Sequence, residues 1–449
     1  MYKIYLSLIL ACFSYAQSVN FDKILELTIK NSKDLKLQQL NIDSSKLDVK
    51  TIDSISYGKL TLSEELSRTN HSGYVFNSKL SSREASFDDF GFSQMNEGLK
   101  TEPTNLNYPN ARNNFNTKLT YDIPLFTGFK LSNQKDILKL QEQANSIKYK
   151  LDEKELEFEV LKAYNSAVVA KDFIKALEKA KESVLFMKNG AIAFHKEGLV
   201  TKIDVNEAKV YESNINSQLL EAKNNFQLAL SYLSFLSSDD SITDVENLEN
   251  IYFKFPNEKE LYEQALKNRD EVKMQDIQVN ASKKNIDIAK AAYYPTVFSR
   301  LEYGYNDNTL TLSQDKDYYM AMVGITLTLF DNTRDIEKQK SKIEYAKATI
   351  NQEKLKDAIK LELKKAMLTL ETKEKILEEK IKAKNLANDI LEQAKLQYKN
   401  QLISMTTLLQ QEANFRKNEA LLIEARYEKS LALASLNLVL GKNIKEENN

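Results

Sequence analysis

Residues 25–57, LELTIKNSKDLKLQQLNIDSSKLDVKTIDSISY, recur without gaps as residues 262–294, YEQALKNRDEVKMQDIQVNASKKNIDIAKAAYY, at an offset of 237 (262 − 25). Glu26, Lys30, Asn31, Lys36, Gln38, Ser45, Lys46 and Tyr57 match Glu263, Lys267, Asn268, Lys273, Gln275, Ser282, Lys283 and Tyr294. Leu35, Leu37, Leu40, Ile42 and Val49 meet Val272, Met274, Ile277, Val279 and Ile286. Further along, Pro124 to Lys130 lies over Thr328 to Arg334 at offset 204, and His195 to Thr201 lies over Tyr398 to Ser404 at offset 203. The first copy therefore carries 33 extra residues (237 − 204) between its landmarks. Such self-similarity identifies a duplicated unit and governs every later assignment.

Composition says what the unit is made of. The 449 residues include only 10 Gly and 5 Pro, far below ordinary usage, so turns are few and elements long. Pro103 and Pro109 fall in the first copy's extra segment, Pro124 ends a strand, Pro256 precedes a helix and Pro295 marks a helix-to-strand transition. None interrupts a helical pattern, where it would cost about 3 kcal/mol. Charges balance at −1, which excludes the basic footprint of a nucleic-acid binder.

Residues 1–16 read as a secretory signal: Lys3 supplies the positive start, Ile4 to Phe13 the apolar core and Ser14-Tyr15-Ala16 the small-residue cleavage site. Cys12 is the chain's only cysteine. Ile9-Leu10-Ala11-Cys12 reads either as a lipoprotein box or as part of the signal core. No other stretch is apolar for long enough to cross a bilayer as a helix.

Each copy reads helix, strand, strand, long helix, helix. The first repeat, 17–240, has these at about 21–52, 57–68, 114–126, 131–195 and 201–237. The second, 257–441, has them at about 258–292, 296–306, 318–330, 334–399 and 405–440. A linker, 241–256, joins them and a short tail, 442–449, follows. Ile336, Ile343 and Ile350 recur every seven residues, as do Leu363, Leu370 and Leu377, the spacing of helices packed along helices. Residues 131–195 as one helix, 201–237 joined to 258–292, and 405–440 joined to 21–52 each reach about 100 Å at 1.5 Å per residue. Equal lengths predict a tube of uniform height.

The strands alternate. Leu119, Tyr121 and Ile123 take one face and Thr120 and Asp122 the other; Val323, Ile325 and Leu327 oppose Met322, Gly324 and Thr326. One apolar and one polar face suits an outer-membrane barrel. Four strands cannot close around water, and an open edge cannot face lipid, so several chains must pool theirs. Three chains would give 12.

In these features the chain resembles the TolC-like outer-membrane efflux proteins. The resemblance rests on the paired Asn31 and Asn268 helices, Pro124-Leu125-Phe126-x-Gly128, Glu197-Gly198-Leu199-Val200-Thr201 followed by Asp204-Val205, and the closing Leu436-x-x-x-Leu440-Gly441. It implies a mainly α fold with a small β part: a homotrimer with a 12-stranded barrel in outer-membrane lipid above a periplasmic α-helical barrel. Segments 69–113 and 307–317 would be extracellular, and the turns at 196–202 and 399–405 periplasmic tips. In such proteins the tips dock a periplasmic adaptor that links the channel to an inner-membrane pump. By position Gly198, Leu199, Val200 and Thr201, with Gln401, Leu402, Ile403 and Ser404, take that role; Gln401 replaces the usual Gly. The periplasmic entrance falls on Asp204, Thr407 and Gln410, of which only Asp204 is acidic.

Chemistry is sparsely provisioned. His71 and His195 are the only histidines, and no metal ligation or cofactor is expected from them. Asp152-Glu153-Lys154-Glu155 and similar runs read as solvated helix faces. Asp204 reads as a helix cap or as part of the gate, and Gly128 as the residue that permits a strand-to-helix turn. The expected function is a passive exit channel of an efflux or type I secretion system and not an enzyme. A long α-helical structural protein, or a periplasmic adaptor, is the alternative.

Overall fold

The computed structural model describes residues 17–248 and 257–444. The expected signal segment with Cys12, Pro256 and the last residues of the tail lie outside the described residues. Elements run β1 (Gln17–Val19), α1 (Phe21–Asn31), α2 (Lys33–Ser56), β2 (Lys59–Thr69), α3 (Ser72–Ser81), α4 (Thr104–Asn107), β3 (Arg112–Thr127), α5 (Lys130–Lys196) and α6 (Lys202–Ser237). Then follow β4 (Ile242–Val245), α7 (Glu258–Asn268), α8 (Asp270–Lys290), β5 (Thr296–Asp307), β6 (Asp317–Thr326), α9 (Thr333–Lys399) and α10 (Met405–Val439). The duplicated order is therefore present, with α5 and α9 both 67 residues long.

The chain divides into two compact units. One comprises residues 1–41, 144–276 and 351–449; the other comprises 42–143 and 277–350. Among the described residues the first is mainly helical, with a parallel pairing of β1 with β4 that places a strand inside the predicted linker. Phe21, Ile24, Val160, Leu161, Tyr164, Leu230, Leu233 and Val245 form one core cluster. Leu261, Ile359, Leu363, Leu370, Leu436 and Leu440 form another. Leu363 and Leu370 of the predicted heptad are thus buried.

The helices predicted over 21–52 and 258–292 are each broken once, at the same place in the repeat. Ser32 (φ −50°, ψ 123°) and Arg269 (φ −62°, ψ 128°) are extended. Both keep their helical N–H bonds, to Thr28 at 2.8 Å and Ala265 at 3.0 Å. At the second break Gly441 (φ +73°) lies so close that a Cβ there would stand 2.7 Å from the Arg269 nitrogen. Arg269 bonds Glu362 and Glu271, both at 2.6 Å. The nearly fully buried Asp270 is held by Lys154 at 2.7 Å and Lys273 at 2.9 Å. The break is set by these tertiary partners, not by a helix breaker in the sequence.

The second unit carries a four-stranded antiparallel sheet in the order β2-β3-β5-β6. β2 starts at Lys59, because Gly58 turns the chain at φ +85°. β6 stops at Thr326, short of the predicted 330: its last partner is Thr296, and Pro295 beyond it has no N–H to offer. Pro124 does not end β3. The strand runs to Thr127 with a register shift between Pro124 and Phe126, and β2 pairing stops at Asp122, so no β2 partner needs the missing N–H. Gly128 (φ +63°) turns β3 into α5 and approaches Ala291, whose carbonyl oxygen would stand 2.7 Å from a Cβ. Ser45 and Ser282, a matched pair of the repeat, are both buried here.

The two sheet faces differ as the alternation predicts. Leu60, Leu62, Leu66, Leu119, Leu301, Tyr303, Tyr319, Val323 and Ile325 are exposed on one. On the other, Tyr318 donates to Asn116 and Glu302, and Arg300 pairs with Asp122 at 2.6 Å. Ile336, Ile343 and Ile350, the other predicted heptad line, are each more than half exposed among the described residues. The segment 69–113 is not a simple loop. It forms α3, α4 and two 3-10 turns, Phe87–Phe90 and Phe92–Glu97, held by edge-on packing of Phe76 on Phe90 at 4.9 Å.

Candidate functional site

The candidate tips lie in the first unit, where α5 turns into α6 and α9 into α10. The two turns share one backbone. Gly198 (φ +71°) and Gln401 (φ +63°), repeat equivalents, both adopt the left-handed conformation. Gly198 N–H bonds His195 O at 3.0 Å and Leu199 N–H bonds Phe194 O at 2.9 Å. Gln401 N–H bonds Tyr398 O and Leu402 N–H bonds Gln397 O, both at 2.9 Å. This is the Schellman closure of a helix, which uses carbonyls the helix leaves unpaired. Replacement of Gly by Gln401 therefore leaves the turn's shape intact and confines the difference to local strain, about 1 kcal/mol.

The two following helices start differently. Thr201 and Asp204 form a reciprocal capping box: Thr201 Oγ1 accepts from the helix backbone, Ile203 N–H among it at 3.2 Å, while the Asp204 carboxylate accepts from Thr201 N–H at 3.1 Å and from Thr201 Oγ1 at 2.9 Å. The structural reading of Asp204 thus has its geometry. In the second tip Ser404 caps Thr407 N–H at 3.2 Å, and the two hydroxyls meet at 3.0 Å with no carboxylate. Leu199 and Leu402 stand exposed at equivalent positions, whereas Val200 and Ile403 are half-buried. His195 Nδ1 contacts Val200 O at 3.0 Å, so it braces the turn. His71 precedes α3 and packs its ring on Tyr74 at 5.0 Å. Among the described residues no three His, Cys, Asp or Glu side chains are grouped to hold a metal ion.

The four helix ends share one apolar core. Met187, Ala191, Val205, Ala208, Leu391, Ala394, Tyr398, Met405, Leu408 and Phe415 pack together. Phe194 tilts against Tyr398 at 5.9 Å. Burial, then the negative charges of Asp204 and Glu207, push the Tyr398 phenol up to about 12. Thr406 Oγ1 donates to Glu207 at 2.8 Å and joins the two hairpins. Between α6 and α10 runs an open groove of about 460 Å³, with Ile203, Glu207, Val210, Tyr211, Thr406 and Gln410 among its lining residues. Of the predicted residues only Gln410 lies in it. Ile203 and Val210 are exposed, seven residues apart, and their spacing beside the buried Val205 and Ala208 was the signal for a second apolar line.

The sequence model of the outer membrane efflux protein family matches residues 261–442, which is most of the second repeat. No curated protein matches the chain in sequence. Its fold is that of solved outer-membrane channels. The Campylobacter jejuni CmeC outer membrane channel is 16% identical with TM-score 0.75, over 96% of this chain and 87% of that one. The outer membrane protein VceC of Vibrio cholerae is 15% identical with TM-score 0.73, over 94% and 96%. The Neisseria gonorrhoeae MtrE outer membrane channel in its open state is 15% identical with TM-score 0.72, over 96% and 90%. Over its second repeat the chain is thus similar to the outer membrane efflux proteins.

Proposed function

We propose that three copies of this chain form the outer-membrane exit channel of a tripartite efflux or type I secretion system. A protein of this family sits in the outer membrane and extends into the periplasm. One observation carries the reading: the sheet has an exposed apolar face, a polar face, and two strands, β2 and β6, each paired on one side only. An unpaired edge facing hydrocarbon costs several kcal/mol for each backbone group, so further copies must close the sheet. Three chains of four strands make 12, a size that encloses water. The exposed Ile336, Ile343 and Ile350 offer helices of a neighbouring copy an apolar line.

The duct is passive, and a partner pump supplies the energy. A periplasmic adaptor docks at Gly198 to Thr201 and Gln401 to Ser404, where the exposed Leu199 and Leu402 give apolar contact. Docking parts the helix ends around Asp204, Thr407 and Gln410. With one carboxylate per copy at this entrance, a dense acidic ring is not the lock; helix packing is.

The test is single-channel recording of the purified protein in planar bilayers, with oligomeric mass measured in parallel. A discrete water-filled conductance from a trimer is expected. A monomer that never conducts overturns the reading.

A further inference from the structure

We propose that the first repeat's insertion is an inward-folded collar that narrows the external mouth of the channel and sets the size of what passes there. This rests on the barrel reading above, which makes the polar sheet face the lumenal one.

Position on the sheet carries the argument. Arg112, Asn114, Asn116, Lys118, Thr120 and Asp122 alternate along β3 on the polar face, whereas Leu119 and Tyr121 point the other way. The insertion attaches to the polar set. Ser78 of α3 donates to Asn114 Oδ1 at 2.8 Å, and Arg112 Nε donates to Ser78 Oγ at 3.1 Å. Val75, Ser78 and Ser82 are buried in that contact region. An insertion that only extended outward would leave these strand positions to water. Here α3 lies across them.

Salt bridges then fasten the collar to the β5–β6 connection of the second repeat. Arg112 and Lys316 both pair with Glu84, the latter at 2.8 Å. Lys316 also bonds Ser82 O at 2.8 Å. Arg83 donates to the carbonyls of Asp315 and Asp317, at 2.8 and 2.7 Å. Partial burial raises the Glu84 carboxyl, but its bonds to Lys316 and Arg112 outweigh that and hold it at about 2. The clamp therefore stays charged at any pH near neutrality. Inside the insertion Lys79 pairs with Asp89, Asn105 with Asp88 at 2.9 Å, and Gly91 packs on Pro103 with no room for a Cβ. These bonds leave the segment ordered rather than free to swing out. Each chain of a closed barrel brings one such collar to the mouth.

Thiol labelling in intact cells tests this, since the described residues contain no cysteine. Lys118→Cys puts a reporter on the polar face, six residues below Arg112 and thus about 20 Å down the strand. Leu312→Cys is the outer control, on the exposed connection. Each is treated from outside with a small charged maleimide or with one carried on a long polyethylene glycol chain. Two loosened backgrounds are compared: residues 72–107 replaced by a short Gly/Ser turn, and the milder Glu84→Gln with Arg83→Ala, which keeps the fold if the deletion does not. The large reagent should label Lys118→Cys roughly tenfold faster in the loosened chains, because a steric limit on encounter is removed. The small reagent and the outer control should be unchanged. Equal rates for the large reagent overturn the collar. Failure of the small reagent to reach Lys118→Cys while it labels Leu312→Cys overturns the lumenal face, and the channel reading with it.

Discussion

Four left-handed residues occupy two equivalent pairs of the repeat, Gly198 with Gln401 and Ser238 with Gly441, and they separate backbone strain from steric exclusion. At Gly198 (φ +71°) an added Cβ meets nothing within 4 Å. Gly198→Ala should cost only the left-handed penalty, about 1 kcal/mol. At Gly441 (φ +73°) the same Cβ would stand 2.7 Å from the Arg269 nitrogen and 2.8 Å from the Asn268 carbonyl carbon. Those are backbone atoms of a broken helix, so the contact cannot be relieved by a rotamer. Overpacking adds about 1–3 kcal/mol and brings Gly441→Ala to roughly 2–4 kcal/mol. Ser238 carries a side chain at φ +53°, so the conformation alone is tolerable. Native-state hydrogen exchange reads the local opening. Exchange of the Lys442 amide, bonded to Asn437 O at 3.0 Å, and of the Arg269 amide should accelerate about 30- to 1,000-fold in Gly441→Ala. The Leu199 amide in Gly198→Ala should accelerate only about fivefold. Comparable small effects at both sites would refute the close approach of Gly441 to the 268–269 break.

Asp204→Ala removes both bonds that its carboxylate accepts from Thr201, destabilises the start of α6 by about 1 kcal/mol, and should raise the channel's resting leak and its antibiotic permeability; unchanged conductance removes Asp204 from the closure. Leu62→Arg, on the apolar strand face, should cost about 2–4 kcal/mol if it lies near the bilayer midplane and deplete the outer-membrane fraction, whereas Thr61→Arg, on the polar face, should be tolerated; equal loss from both would contradict the facing. Burial raises the Asp270 carboxyl, but Lys154 and Lys273 outweigh that and hold it below its ordinary value. Its contribution is thus present above the usual carboxylate range, about pH 4, and lost as pH falls through the depressed value. Asp270→Asn should lower stability by about 2 kcal/mol at pH 7 and flatten that acid dependence; parallel acid unfolding curves for both proteins would refute it.

The duplication, the long helices, the two-faced strands and the two helix-to-helix turns were legible in the residues, because each is a local periodicity or a repeated local motif. Asp204's cap was legible for the same reason: its partner Thr201 is three residues away. The insertion was not, since its place depends on Arg112, Asn114 and Lys316, the last more than 200 residues distant in sequence. Ile203 and Val210 do not stand out in the sequence, because a heptad line beside a buried one looks like core until the packing of α10 leaves it open.

The amino-acid sequence by itself determined a chain of two like halves, each pairing long helices with amphipathic strands, because hydrophobic spacing and turn residues act over a few positions. Only the tertiary structure decided where α1 and α7 part from α2 and α8, why Gly441 must be glycine, how Gln401 keeps a glycine's turn, and which face of the sheet the insertion covers. Each of these depends on atoms far apart in the chain meeting within a few ångströms, and such meetings leave no period to read.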